Sequence, residues 1–157
     1  MELPNGRASY DDESFSPDVT KTNQHCLWQV AGLDNDGIAL MDKINHGLDG
    51  TVAKHISEWA NITPSELRKM SGIPNTTFNR SIKDRFTADQ SERLVRIIRV
   101  IERAVELFEG DKEAAHKWLN EANRGLSWKS PAELVSSETG ALEVMRLITR
   151  IEHGVYS

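Results

Sequence analysis

The chain has 157 residues, 38% of them hydrophobic and 27% charged, with a net charge of −5 and a single cysteine, Cys26. That composition suits a globular protein with one core or two small units sharing a boundary. It excludes a membrane span, because no apolar run approaches ~20 residues, and an intramolecular disulfide. With no basic-then-apolar leader at the N-terminus, the expected compartment is the reducing cytoplasm.

The charge is segregated. Residues 1–50 are net −6, residues 51–103 net +4 and residues 104–157 net −3. A local basic surface is what phosphate contact requires, whatever the sign of the whole protein. Charge alone leaves two roles open for Arg96, Arg99 and Arg103, phosphate contact or the solvated face of one helix.

Residues 1–36 are polar and lack a sustained period, so they read as a flexible or loosely attached arm. Phe15, Leu27, Trp28 and Val30 are points that pin it to the body or to a partner. Over Gly37 to Leu48, Ile38, Met41, Ile44 and Leu48 follow helical spacing and predict an inner face. A second short helix carries Val52, Ile56 and Trp59. At Thr63-Pro64-Ser65-Glu66 an N-cap hydroxyl, a proline at N1 and a glutamate at N3 form a capping box. The helix it starts runs through Leu67 and Met70 to Ser71-Gly72, where glycine permits the left-handed backbone of a tight turn. Ile73 plugs the gap, and Pro74 restarts a helix whose Phe78 and Ile82 face inward together.

Thr87-Ala88-Asp89-Gln90 is a second capping box. It starts the longest helix, about 88–109, with Leu94, Ile97, Ile98, Ile101, Val105 and Phe108 on one stripe. Asp111 caps a helix with Ala114, Ala115, Trp118 and Leu119 inside, and 120–130 is a loop containing Leu126 and Trp128. Ser130-Pro131-Ala132-Glu133 repeats the capping device. A last helix from about Gly140 to His153 presents Leu142, Met145 or Val144, Leu147, Ile148 and Ile151. No segment reads as a strand. The fold class is all-α, with a helix-turn-helix bundle over 37–86 and a long linking helix plus a helical domain over 87–157.

A capped helix, a glycine turn and a second helix with a polar outer side form the helix-turn-helix arrangement. Asn and Arg make bidentate contacts to adenine and guanine edges in the major groove. The candidate DNA contacts are Ser65, Asn75, Thr76, Thr77, Asn79, Arg80 and Lys83. An ordinary αα-hairpin is the competing interpretation of the same segment. His25, His46, His55, His116 and His153 are dispersed, so no metal site is expected. No phosphate-loop glycine run and no nucleophile elbow occurs, so no cofactor and no enzymatic activity is expected. Trp59, Trp118 and Trp128 read as small-domain core residues more readily than as a ligand cage.

Leu67 to Phe78 resembles the bacterial pattern Leu-Ala-x-x-x-Gly-Val-Ser-x-x-Thr-Val. Arg68 replaces its small residue, Pro74 its serine, and Ser81 occupies a commonly apolar position. Further on, Ala115-x-x-Trp118-Leu119, Asn123, Leu126, Ser130-Pro131-x-x-Leu134, Gly140, Val144, Leu147, Ile151 and Gly154 form an ordered set. It resembles the toxin-binding domain of the Xre/MbcA/ParS antitoxin family, and the resemblance runs from about Gly47 to the C-terminus. Ala122 stands where a proline is usual, and Ser127-Trp128 where a Gly-Gly pair is usual.

The resemblance implies a type II antitoxin that neutralises a RES-domain, NAD-depleting toxin by obstructing its active site with the last helix and tail. It also implies repression of its own operon through operator DNA, as a homodimer. The long helix from Thr87 offers a dimer seam. The implied toxin contacts are Trp128, Arg146, Arg150, Glu152, His153, Gly154, Val155 and Tyr156. For Arg146 and Arg150, a solvated helix end with a favourable dipole is the plainer alternative. A stand-alone regulator with a C-terminal dimerisation or partner-binding domain is the alternative for the whole chain.

Overall fold

The computed structural model describes residues 26–154. Among them the elements are α1 (Leu27–Val30), α2 (Gly37–His46), α3 (Thr51–Ala60), α4 (Pro64–Ser71), α5 (Asn75–Ile82), α6 (Ala88–Leu107), α7 (Lys112–Asn120), a 3-10 turn (Arg124–Leu126), α8 (Pro131–Leu134) and α9 (Glu138–Glu152). The described residues contain no strand, only the isolated bridges Asp49 to Arg85 and Asn123 to Lys129. No helix among them is long and apolar enough to cross a membrane.

The three capping boxes form as the sequence predicts. Each hydroxyl of Thr63, Thr87 and Ser130 accepts the N3 backbone N–H, while the side chain of Glu66, Gln90 or Glu133 accepts the N-cap N–H. Each cap contributes about 1 kcal/mol by satisfying orphan donors. Asp111 caps α7 through the Ala114 N–H, and Ser137 caps α9 through the Gly140 N–H.

Helix α6 is the axle of the molecule, and α1, α2, α3, α4, α7 and α9 all pack on it. Leu94, Val95, Ile97, Ile98, Val100, Ile101 and Ala104 are buried within the one chain. Full burial of each large apolar side chain is worth roughly 1.5–3 kcal/mol. The apolar stripe of the long helix is thus buried by its own chain.

The expected face of α2 is rotated, whereas that of α9 holds except at Leu142. In α2, Ile38 and Met41 are exposed and Leu40 is buried, with Ile44 half-buried. The helix docks on α6 through that i, i+4 pair and leaves the other stripe outside. In α9 the buried residues are Ala141, Val144, Leu147 and Ile148, while Leu142 is exposed. Trp128, taken above for a core residue more readily than a ligand cage, is 67% exposed.

The described end of the N-terminal arm is pinned at Leu27, which is fully buried. The Leu27 N–H donates to Glu102 Oε2 at 2.6 Å and the Cys26 thiol donates to the same oxygen at 3.2 Å. Burial pushes the Cys26 thiol pKa up and the Glu102 carboxylate adds to the shift, so it stays a protonated donor. Trp28 is half-buried and Val30 exposed; Phe15 lies outside the described residues.

Candidate nucleic-acid interface and partner-binding face

The turn between α4 and α5 is built from four residues. Gly72 closes α4 at φ +72°, its N–H donating to the carbonyls of Arg68 and Lys69. Ser71 is fully buried; its hydroxyl donates to the Arg68 carbonyl and accepts the Ile73 N–H. Ile73 is buried in the gap. Arg68, notable in the sequence only as a departure, donates from Nη1 to the Ile73 carbonyl at 3.1 Å and so fastens the turn.

Phe78 fixes the inward side of α5, 2% exposed and 5.9 Å from the Phe86 ring. Ser81 keeps its unusual buried place because its hydroxyl donates to Gln90 Oε1 at 3.0 Å, the same oxygen that caps α6. The C-terminal end of α5 is locked against the start of α3. Gly50 donates to the Asp84 carbonyl and Phe86 to the Leu48 carbonyl. A Cβ on Gly50 would lie 2.1 Å from the Ile82 carbonyl oxygen, so only glycine fits that approach. The outer side of α5 presents Asn75, Thr76, Asn79 and Arg80, with Lys83 just after it, all exposed, while Thr77 is half-buried. Ser65 is also exposed, but in the first turn of α4.

Of the three α6 arginines weighed above, Arg96 and Arg103 take neither role, and Arg93 acts as they do. Arg93 donates to the Ser71 carbonyl, Arg96 to the Ser136 carbonyl, and Arg103 to Thr149 Oγ1 and Glu152 Oε1. They are internal staples that join the helix-turn-helix and the C-terminal helices to one axle. Arg99 remains exposed. Sequence reasoning missed these roles because the partners lie 22 to 49 residues away.

A further link joins the two halves. Glu66, the capping residue of α4, accepts from His116 Nε2 of α7 at 2.8 Å. Burial pushes the Glu66 pKa upward, but the Thr63 N–H and the His116 imidazole outweigh it and hold the carboxyl below its ordinary value. A depressed carboxylate stabilises the fold above its unfolded pKa and loses that contribution as pH falls through the folded one. Between about pH 5 and about pH 3, wild-type stability is therefore expected to fall more steeply than that of Glu66→Gln, which keeps the capping geometry. Thermal melts across that range measure the difference; parallel profiles would remove Glu66 from the linkage.

On the C-terminal side, Arg146 is exposed and paired with Glu143 at 3.0 Å. Arg150 is half-buried, and its Nε has no hydrogen-bond partner among the described residues. Glu152 is engaged by Arg103 at 2.7 Å, so its carboxylate holds α9 in place. His153 and Gly154 are exposed, with Gly154 at φ +73°; Val155 and Tyr156 lie outside the described residues. Trp128 projects from the loop after the 3-10 turn, which packs on α9. Ser127 and Trp128 have φ of +56° and +64°. That is the region where glycine is at ease and bulky side chains are not.

Two family profiles match this chain. The antitoxin Xre-like helix-turn-helix domain covers residues 39–99 and the antitoxin Xre/MbcA/ParS C-terminal toxin-binding domain covers residues 103–154. Among curated proteins the chain is 42% identical over 139 residues to "Antitoxin Xre" of Yersinia enterocolitica serotype O:8 / biotype 1B, covering 87% of this chain and 94% of that one. It is 38% identical over 140 residues to "Antitoxin Xre" of Photorhabdus laumondii subsp. laumondii, covering 87% and 95%.

Proposed function

Because the chain belongs to the Xre family of antitoxins, which is not a family of enzymes, we propose that it neutralises a RES-domain, NAD-depleting toxin and represses its own operon as a homodimer on operator DNA. The carrying observation is the pairing of two outward surfaces on one helical body. One is the polar side of α5, inside the helix-turn-helix match. The other is the arginine-bearing α9 with its tail, inside the toxin-binding match.

On the DNA side, α5 enters the major groove with Asn75, Asn79 and Arg80 toward base edges. Ser65, Thr76, Thr77 and Lys83 serve the phosphates. On the toxin side, Arg146 and Arg150 bring guanidinium groups to an entrance that admits an anionic dinucleotide, which suits their charge and planar donors. Arg146 is exposed and Arg150 half-buried on that helix, and His153, Gly154, Val155 and Tyr156 extend the surface. Glu152 contributes by holding the helix and Trp128 from the adjoining loop.

The test has two arms, a gel shift with the chain's own promoter and copurification with the RES-domain toxin encoded beside it. Arg80→Ala separates them. It is expected to weaken operator binding by about 1–3 kcal/mol, roughly fivefold to 150-fold, with discrimination relaxed at one base pair. Toxin capture should be unchanged. A promoter shift unaffected by Arg80→Ala would end the assignment of α5 as the reading helix. A chain that shifts the promoter but captures no toxin would be a stand-alone regulator instead.

A further inference from the structure

We propose that Trp128 is the residue by which this chain tells its own toxin from other RES-domain toxins, and that the loop beneath it serves to hold that ring out. The inference rests on the toxin-binding role proposed above and deepens it.

The loop is stiff. Asn123 and Lys129 bridge its base, with the Asn123 N–H donating to the Lys129 carbonyl at 3.0 Å. The Trp128 N–H donates to the Asn123 carbonyl at 2.8 Å, and Asn123 Oδ1 accepts the Gly125 N–H at 2.8 Å. Leu126 is buried beneath. On this platform two consecutive residues, Ser127 and Trp128, hold a left-handed backbone that costs any side chain and costs a bulky one most. A pair of glycines would trace the same path without strain. The fold therefore does not need the ring, yet the ring is there and 67% exposed.

Its position supplies the purpose. A Cβ on Gly125 would meet Leu147 Cδ1 at 2.9 Å, so the turn rests on α9 at the residue next to Arg146 and one turn before Arg150. The loop that carries the ring is thus packed on the helix that bears the proposed toxin-binding arginines. An indole presented by a rigid loop loses little freedom on binding, and buried tryptophans dominate the energetics of interfaces. Arg124 and Lys129 are exposed on either side in sequence, so the receiving surface is an apolar pocket with an acidic rim. A toxin lacking that pocket would meet a fixed protrusion, which gives discrimination through repulsion as well as attraction.

The test measures binding of the full chain to a catalytically disabled form of the RES-domain toxin encoded beside it and to a second RES-domain toxin. Trp128→Ala is expected to weaken binding to its own toxin by thirtyfold or more. The double variant Ser127→Gly/Trp128→Gly is expected to show the same loss and a reduced preference between the two toxins. Its melting temperature should equal or exceed wild type, which separates the ring's role from a structural one. Own-toxin affinity within about threefold of wild type in the glycine variant, with wild-type binding intact, overturns the proposal and leaves the antitoxin function standing. A loss confined to promoter DNA overturns it in favour of a nucleic-acid contact. Absence of wild-type binding to the adjacent toxin overturns both.

Discussion

Cells that produce the RES-domain toxin together with a chain lacking residues 153–157 are expected to stop growing, whereas cells producing the full chain divide normally. The cut is chosen from the way α9 ends. Arg103 holds Glu152 at 2.7 Å and Thr149 at 3.3 Å, and Ile151 is packed against the core. All three survive a truncation after Glu152, so the helix keeps its side-chain anchors and loses, besides the tail, the closing bonds from the His153 and Gly154 N–H groups to the Thr149 and Ile151 carbonyls. A truncation after Ile148 would remove them together and free the end of the helix from α6. The two truncations therefore report different things. If the shorter deletion abolishes protection while melting as the full chain does, the tail acts by entering the partner. If only the longer one does, α9 acts by its own surface. Removal of a whole contact segment is expected to cost 3 kcal/mol or more, about a hundredfold or more in affinity. Cellular NAD, followed alongside growth, should fall as protection fails. Normal growth with residues 153–157 deleted would take the tail out of the mechanism.

Local devices were readable along the chain because their physics is local. The capping boxes at Thr63, Thr87 and Ser130, the left-handed Gly72 and the inward Phe78 each depend on neighbours within four residues, and each formed as expected. The face of α2 and the place of Leu142 in α9 depart from expectation where two apolar stripes overlap. Ile38 and Met41 compete with Leu40 and Ile44 for the inner side, and Leu142 competes with Ala141 and Val144. Which stripe wins is set by the docking partner, and α6 lies far away in sequence. Charge was the least transparent feature. Arg93, Arg96 and Arg103 contribute to the basic middle of the chain, yet they are spent on Ser71, Ser136 and Glu152. On the outer side of α5, proposed above to face DNA, the outward charge falls to Arg80 and the adjoining Lys83. On the proposed toxin side, position in the chain points to α9 and the tail, but nothing local foretells that Glu152 is held by Arg103.

Phe78→Ala is expected to lower stability by about 3–5 kcal/mol, a large part of the roughly 5–15 kcal/mol that holds a folded domain. The ring is 2% exposed and leans on Phe86, so truncation leaves a void between α5 and the segment that launches α6. That places the melting midpoint about 10 °C or more below wild type. The damage should not stay in the helix-turn-helix. Arg93 ties the α4–α5 turn to α6, Arg96 ties α6 to Ser136 before α9, and Glu66 is bonded to His116. With helices from both halves packed on one axle, the described residues should melt in a single transition, and promoter binding and toxin protection should fail together on warming. Arg80→Ala, two residues along the same helix but on its exposed side, should leave the midpoint and toxin protection untouched while promoter binding falls. Calorimetry of both variants beside the gel shift and the growth assay checks the contrast. Two separate transitions in Phe78→Ala, with the later one unmoved from wild type, would mean that the DNA-facing and toxin-facing halves fold independently and that the arginine staples do not couple them.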